Sequence, residues 1–417
     1  MRGSLRLPHV DRGRGHVMEI VHAITPGDHF SPRTGSAIPT VVHGLATAAA
    51  RDVDPVRHAV VLDGSTMQPR YDSAETIEYE RGPWLSRNDR ALDLLRARLG
   101  ATRTATRRFY VPVADAIRRR EPSIVLAHNA PVLPQMLRDT PHHVVLYAHN
   151  DVLKSYSRAE AQRALDGVAT IVTVGEALAQ RMRAALPPNL AERVRVVRNG
   201  VDCELFSPAP AKGGSGGADA AAPDSPSASN SGPLRVVFLG RMIEEKGPDV
   251  LIRAAGLLRR PDLEVLLIGS QGFARDAPLS PYEQDLRRLA AEVTTASGGG
   301  IRFEPFVDRT ALPDLLRSAD VLVVPSRWDE PSGLTAAEGL ATGLPVIASR
   351  VGGLPDVVGS AGILVAPDDP TALADALASL ADDPTERARR AAASRRHALE
   401  HDWSWAWSNL RRVLEEL

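Results

Sequence analysis

A single cysteine, Cys203, stands in 417 residues. That excludes an internal disulfide and fits a reducing compartment. Aromatic residues are scarce at 4%, so alanine, leucine and valine must fill the cores. No apolar run approaches the ~20 residues of a membrane span. No charged-then-apolar leader opens the chain, and the cytoplasm is the expected location. Net charge is close to zero at −1, yet residues 1–207 carry +6 and the remainder −7. A basic first half suits an anionic acceptor or a membrane surface. The run Arg118–Arg120 has a plainer explanation, as cations ending a helix. No coherent basic and aromatic stripe points to nucleic acid.

What is present is enough apolar content, 43%, for full-sized cores, in a length that suggests two to three domains. Residues 1–17 are rich in Arg and Gly and lack periodicity, which predicts a disordered extension before Met18. Residues 208–233 are almost entirely Gly, Ser, Pro, Ala and Asp and read as a flexible linker. On either side, short apolar strands alternate with helical patterns. The first set is Glu19–Ile24, Val60–Leu62, Thr76–Glu80, Ile124–His128, Val144–Ala148, Ile171–Val174 and Val194–Val197. The second is Arg235–Leu239, Glu264–Ile268, Ile301–Glu304, Val321–Val324, Val346–Ala348 and Ile363–Val365. Such alternation predicts parallel sheets and an α/β class, with domains over 18–207 and 234–400. Residues 401–417, with Trp403, Trp405 and Trp407, form a last helix.

The most informative stretch is Glu330-Pro-Ser-Gly-Leu-Thr-Ala-Ala-Glu338. A buried strand precedes it, a loop carries Glu330, and a helix begins near Ser332 to Leu334. A helix N-terminus offers free N–H groups and partial positive charge, which suits a diphosphate. Glu338, one or two turns into the helix, is placed to accept hydrogen bonds from a ribose diol. Glu330, in the loop, is placed to meet hydroxyls of a second sugar. Upstream, the strand Val236–Leu239 runs into Gly240-Arg241-Met-Ile-Glu-Glu-Lys246-Gly247-Pro248. Arg241 at a strand's C-terminal end points into the crevice where open α/β sheets bind ligands. The plainer alternative for Arg241 and Lys246 is a pair of surface cations bridged to Glu244 or Glu245.

Together these motifs resemble the Glu-x7-Glu signature and the Arg-to-Lys loop of retaining glycosyltransferases of family 4. The resemblance implies the GT-B fold, two Rossmann-like doubly wound domains facing a deep cleft, with the last helix packing back on the first domain. It implies a nucleoside-diphosphate sugar donor, of UDP or GDP type, and an acceptor such as a natural product, polysaccharide or lipid. No cofactor and no metal are implied, because Arg241, Lys246 and the helix N-terminus supply the charge at the diphosphate. Asp52-Val53-Asp54 has the form of a metal-binding Asp-x-Asp, but it sits in a polar loop between a helix and a strand, which favours a solvated segment. On the donor side the resemblance assigns Gly240, Arg241, Lys246, Glu330, Ser332, Gly333, Leu334, Thr335 and Glu338, with Phe306 and Val307 near the nucleobase. On the acceptor side Gly35 and Ser36 occupy the place of a Gly-rich loop, although a plain turn glycine is an equal reading.

Two strands end in histidine, His128-Asn129 and His149-Asn150, and either histidine has a structural alternative. The resemblance puts the catalytic histidine at His149, with Arg241, Lys246 and Glu330 as the other catalytic residues; His128 and Asn129 are read with Gly35 and Ser36 as acceptor or sugar-pocket residues. Asn199-Gly200 reads as a structural turn at the hinge. No carboxylate is placed as a covalent nucleophile, so the resemblance implies a same-face substitution. The alternatives are a non-catalytic sugar- or nucleotide-binding protein derived from a transferase, or a nucleotide-sugar epimerase.

Overall fold

The computed structural model describes residues 19–209, 232–272 and 275–417. The extension 1–17 and residues 210–231 of the linker lie outside the described residues. Among the described residues thirteen strands form two sheets. β1 (Ile20–Ala23), β2 (His58–Asp63), β3 (Glu75–Tyr79), β4 (Ile124–His128), β5 (His143–Ala148), β6 (Val168–Thr173) and β7 (Val194–Val196) make the first. Their order is β3-β2-β1-β4-β5-β6-β7. β8 (Leu234–Leu239), β9 (Leu263–Ile268), β10 (Gly300–Glu304), β11 (Val321–Val324), β12 (Val346–Ser349) and β13 (Ile363–Val365) make the second, in the order β10-β9-β8-β11-β12-β13. Every pairing within the named strands is parallel. These are doubly wound orders, and each reverses between its first and fourth strands. The crevice outside those strand ends is where such folds bind ligands, and the two crevices face each other.

The strands are apolar on both faces because helices cover both. Four helices matter for the site: α1 (Ala37–Ala50), α2 (Pro248–Leu258), α3 (Leu334–Ala341) and α4 (Trp403–Leu414). α4 buries Trp403, Ala406, Trp407, Leu410 and Leu414 in one cluster with Val41 and Leu45 of α1. The fit is close: a Cβ on Gly44 would lie 2.2 Å from the Trp403 ring. A polar clamp completes it. Asp52 accepts from Trp407 Nε1 at 2.6 Å and from Arg411 at 3.1 Å, and Asp54 accepts from Arg411 at 2.7 Å. The solvated reading of this Asp-Val-Asp segment is therefore corrected: it binds the last helix to the first domain. The indole N–H, first, and then the Arg411 guanidinium hold the Asp52 carboxyl below its ordinary range.

Gly200 shows a similar constraint, since a Cβ there would lie 2.4 Å from the Asp402 carbonyl oxygen. The Asn-Gly turn is the point where the chain leaving the first domain crosses the chain returning to it.

Candidate nucleotide-sugar cleft

Between the sheets lies a cleft of about 2010 Å³, counted out to its open mouth. Gly35 and Ser36, His149, Gly240, Arg241 and Lys246, Phe306 and Val307, and Glu330, Ser332 to Thr335 and Glu338 all line it. Residues as far apart in sequence as Gly35 and Glu338 are thus brought to one surface.

The second domain builds its wall from strand ends and helix starts. Gly247, at φ 66°, is the N-cap of α2, and a Cβ there would lie 2.1 Å from the Pro325 carbonyl oxygen. That contact packs the Arg241–Lys246 loop against the end of β11. Lys246 Nζ lies 2.5 Å from Glu330 Oε1, which also accepts from Ser326 Oγ at 2.8 Å. Glu330 is buried, and the pair satisfies it. The surface-cation alternative, a bridge to Glu244 or Glu245, does not occur for Lys246. Arg241 differs: it is exposed, its Nε donates to the Gln271 carbonyl oxygen at 2.9 Å, and among the described residues no carboxylate pairs with it. Next to this, α3 begins at Gly333 (φ 79°) with no side-chain cap. The N–H groups of Ala336 and Ala337 bond back to the Gly333 carbonyl oxygen, which leaves those of Leu334 and Thr335 at the cleft wall.

Glu338 lies 3% exposed inside α3, and Arg309 Nη1 donates to its Oε1 at 2.6 Å. Arg309 also stacks over Phe206, 5.0 Å from the ring centroid. Such a charge-assisted pair fixes both groups. Arg309 was missed in the sequence. Its signal is present in the sequence, because it closes Phe306-Val-Asp-Arg309 just beyond β10.

The first domain contributes less charge. The loop Thr34-Gly35-Ser36 leads into α1, whose N-terminus also faces the cleft without a side-chain cap. Ser36 Oγ donates instead to Asp28 at 2.9 Å. Gly35 is not among the glycines with positive φ. His149 lines the cleft at the end of β5, 6% exposed, with burial lowering its pKa to about 3. His128 and Asn129 do not line it, which corrects their reading as acceptor-pocket residues. His128 is fully buried beneath His149, with its Nδ1 2.7 Å from His149 Nε2. Asn129 turns the chain at φ 52°, and its Oδ1 accepts the backbone N–H groups of His149 and Asn150 at 2.8 and 3.2 Å. Both support the histidine from behind.

The walls also touch. Asn199 Nδ2 donates to Ser332 Oγ at 2.8 Å, Arg181 meets Asp329 at 3.3 Å, and the Arg309 N–H donates to the Pro32 carbonyl oxygen at 3.3 Å. The turn residue Asn199 is therefore a cleft residue as well.

Comparison with known proteins agrees with this geometry. The sequence profile "Glycosyltransferase Family 4" matches residues 38–205, and "Glycosyl transferases group 1" matches residues 223–397. The chain belongs to glycosyltransferase family 4. It superposes on a crystal structure of Anabaena Alr3699/HepE in complex with UDP and glucose, with a TM-score of 0.65. That match covers 96% of this chain and 100% of the other at 18% identity, so it speaks for the fold. Over 235 residues this family 4 chain is 39% identical to the D-inositol 3-phosphate glycosyltransferase of Thermomonospora curvata, covering 54% of this chain and 51% of that one. It is 28% identical to spore coat protein SA of Bacillus subtilis over 319 residues, 74% of this chain and 81% of that one. The chain thus spans about half the length of the first of these curated relatives. Among the described residues no helix is long and apolar enough to cross a membrane.

Proposed function

We propose that this protein transfers a sugar, with retention of its anomeric configuration, from a nucleoside-diphosphate sugar of UDP or GDP type to a small-molecule or glycan acceptor. The observation that carries the reading is the division of the cleft. The second domain presents an exposed Arg241 that has no carboxylate partner among the described residues, beside the N-terminus of α3, together with the buried Glu338–Arg309 pair. The first domain presents a neutral histidine.

In this reading Glu338, oriented by Arg309, accepts hydrogen bonds from the ribose, and Phe306 and Val307 border the base. The α3 N–H groups and Arg241 hold the diphosphate and neutralise the charge that grows on it as the glycosidic bond breaks. Lys246 acts from its pair with Glu330, and Glu330 keeps its second oxygen for sugar hydroxyls. The carboxylates lining the cleft are Glu245, Glu330 and Glu338. The last two are held by Lys246 and Arg309, which disfavours a covalent nucleophile. A departing diphosphate oxygen that takes the acceptor proton on the same face fits this arrangement. No metal is needed in this scheme, since the cations and helix N-terminus answer the diphosphate charge.

The test is a matrix of UDP- and GDP-sugars against acceptors, read by product mass. D-inositol 3-phosphate, named for the relatives, is the first acceptor to try. A new glycoside with retained configuration supports the reading, and an inverted product contradicts it. The spore coat relative favours a second reading, a non-catalytic member. Tight nucleotide binding with neither transfer nor slow donor hydrolysis would favour that one.

A further inference from the structure

Four histidines cross the first sheet in a line. His58 lies on β2, His22 on β1, His128 on β4 and His149 just beyond β5, and those strands are neighbours in that order. The register explains the line. His58 is level with Ile20, two residues before His22. His128 is level with the position two beyond His22, because Ala23 pairs Ala127. His149 is two beyond Tyr147, which pairs His128. Two-residue steps keep side chains on one face of a sheet. The rings therefore run diagonally through the core and end in the cleft.

They are joined nitrogen to nitrogen. His58 Nδ1 is 2.8 Å from His22 Nε2, His22 Nδ1 is 2.8 Å from His128 Nε2, and His128 Nδ1 is 2.7 Å from His149 Nε2. All four are buried. A neutral imidazole carries one N–H and one bare nitrogen. Three hydrogen bonds among four neutral rings use three protons, and every bond must point the same way. The fourth proton must then sit at one end, on His58 Nε2 or on His149 Nδ1. His58 Nε2 is buried with no partner. Its neighbour, the Trp407 ring, lies 5.3 Å away in an edge arrangement and has given its own N–H to Asp52. A buried orphan N–H is rarer than an unfilled acceptor. His149 Nδ1, by contrast, is outside the chain of bonds on a residue that lines the cleft.

We propose that His58, His22 and His128 are positioning residues that fix His149 with its proton on Nδ1, so that the cleft meets a hydrogen-bond donor at that atom. The matching ligand atom is an oxygen acceptor, a sugar hydroxyl. The functional part of this rests on the transfer reading above. Burial supports the count of one proton per ring: it lowers the pKa of His22 and His128 well below the usual histidine value and those of His58 and His149 to about 3. Tyr147, stacked on both His128 and His149, and Asn129, bonded to the His149 backbone, restrain the ring in the same orientation.

The test is nitrogen NMR of the full chain labelled with 15N-histidine at neutral pH, without donor or acceptor. His149 is assigned from the resonances that vanish in His149→Gln. The expected wild-type result is a protonated Nδ1 and a bare Nε2. In His128→Phe the ring loses its buried partner, and averaged shifts of mixed tautomers are expected. Transfer kcat should fall by about 10- to 100-fold, the range for groups that orient another residue's imidazole, while affinity for UDP or GDP stays unchanged. A protonated Nε2 in the wild type overturns the proposal, as does a pure Nδ1–H tautomer persisting in His128→Phe. If His128→Phe does not fold, the wild-type spectrum decides alone. Since the tautomer is read without substrates, failure to find any transfer would count against the functional reading and leave this result standing.

Discussion

The two walls of the cleft solve opposite electrostatic problems. The second domain keeps its groups charged, and each buried charge has a partner: Lys246 with Glu330, Arg309 with Glu338. The first domain removes charge, with four imidazoles buried and bonded only to one another. A ligand with an anionic end and a neutral end matches that asymmetry. The charged wall can hold a diphosphate before and after reaction. The neutral wall has little to offer a free nucleotide and more to offer a sugar, so its contribution belongs to turnover.

The largest expected effect is on stability and comes from the neutral wall. A histidine whose folded pKa lies below its unfolded value of about 6.5 is protonated preferentially when unfolded. Stability from such a ring is present above pH 6.5 and is lost as pH falls below it. Between pH 7.5 and 5.5 each ring that stays neutral in the fold loses stability on the order of 1 kcal/mol, and the buried rings act in the same direction. Thermal melts across that window should show a falling Tm in the wild type and a visibly shallower fall in His58→Phe. Equal slopes would mean that the rings already carry protons, and the contrast between the walls would collapse.

Next comes the charged wall. Arg241→Ala should lower kcat by roughly 10²-fold or more, about 3 kcal/mol, because the guanidinium meets charge that grows in the transition state. Steady-state transfer rates check this, and an unchanged kcat would remove Arg241 from the leaving group. Smaller again, Glu338→Ala should weaken binding of the free nucleoside diphosphate by roughly 1.5–3 kcal/mol, since it removes a ribose acceptor and strands Arg309. Calorimetry with UDP and GDP reads this directly. Arg309→Ala should produce a loss of the same sign, and an effect of Arg309 on kcat alone would show that it does more than orient Glu338.

The charged wall was largely legible in the sequence, and the neutral wall was not. Glu330 to Glu338 and Gly240 to Lys246 are short contiguous segments, so motif spacing already carried their geometry. Each of the thirteen strands was also visible, because apolar runs between helical patterns have few other uses in a parallel sheet. The ion pairs joining those segments were not visible. Lys246 and Glu330 are 84 positions apart, and nothing local selects that partner over Glu244 or Glu245. The histidine chain is more distant still. His22, His58, His128 and His149 each look like an isolated polar residue on a strand, and only strand order and register reveal one line. The reading of His128 as a pocket residue failed for that reason: its strand end was identified, but the burial beneath His149 depends on β5. The Asp52–Asp54 segment failed similarly, its partners Trp407 and Arg411 lying some 350 positions away.

The central claim is that the second domain holds the nucleotide while the first acts only on transfer. The most direct measurement is calorimetric titration of UDP and of GDP into wild type and His149→Ala, paired with transfer rates on the same samples. The account predicts unchanged nucleotide affinity in His149→Ala, a lower Tm because His128 Nδ1 loses its buried partner, and kcat lower by roughly 10²-fold or more. A loss of nucleotide affinity in His149→Ala as large as that in Glu338→Ala would contradict it.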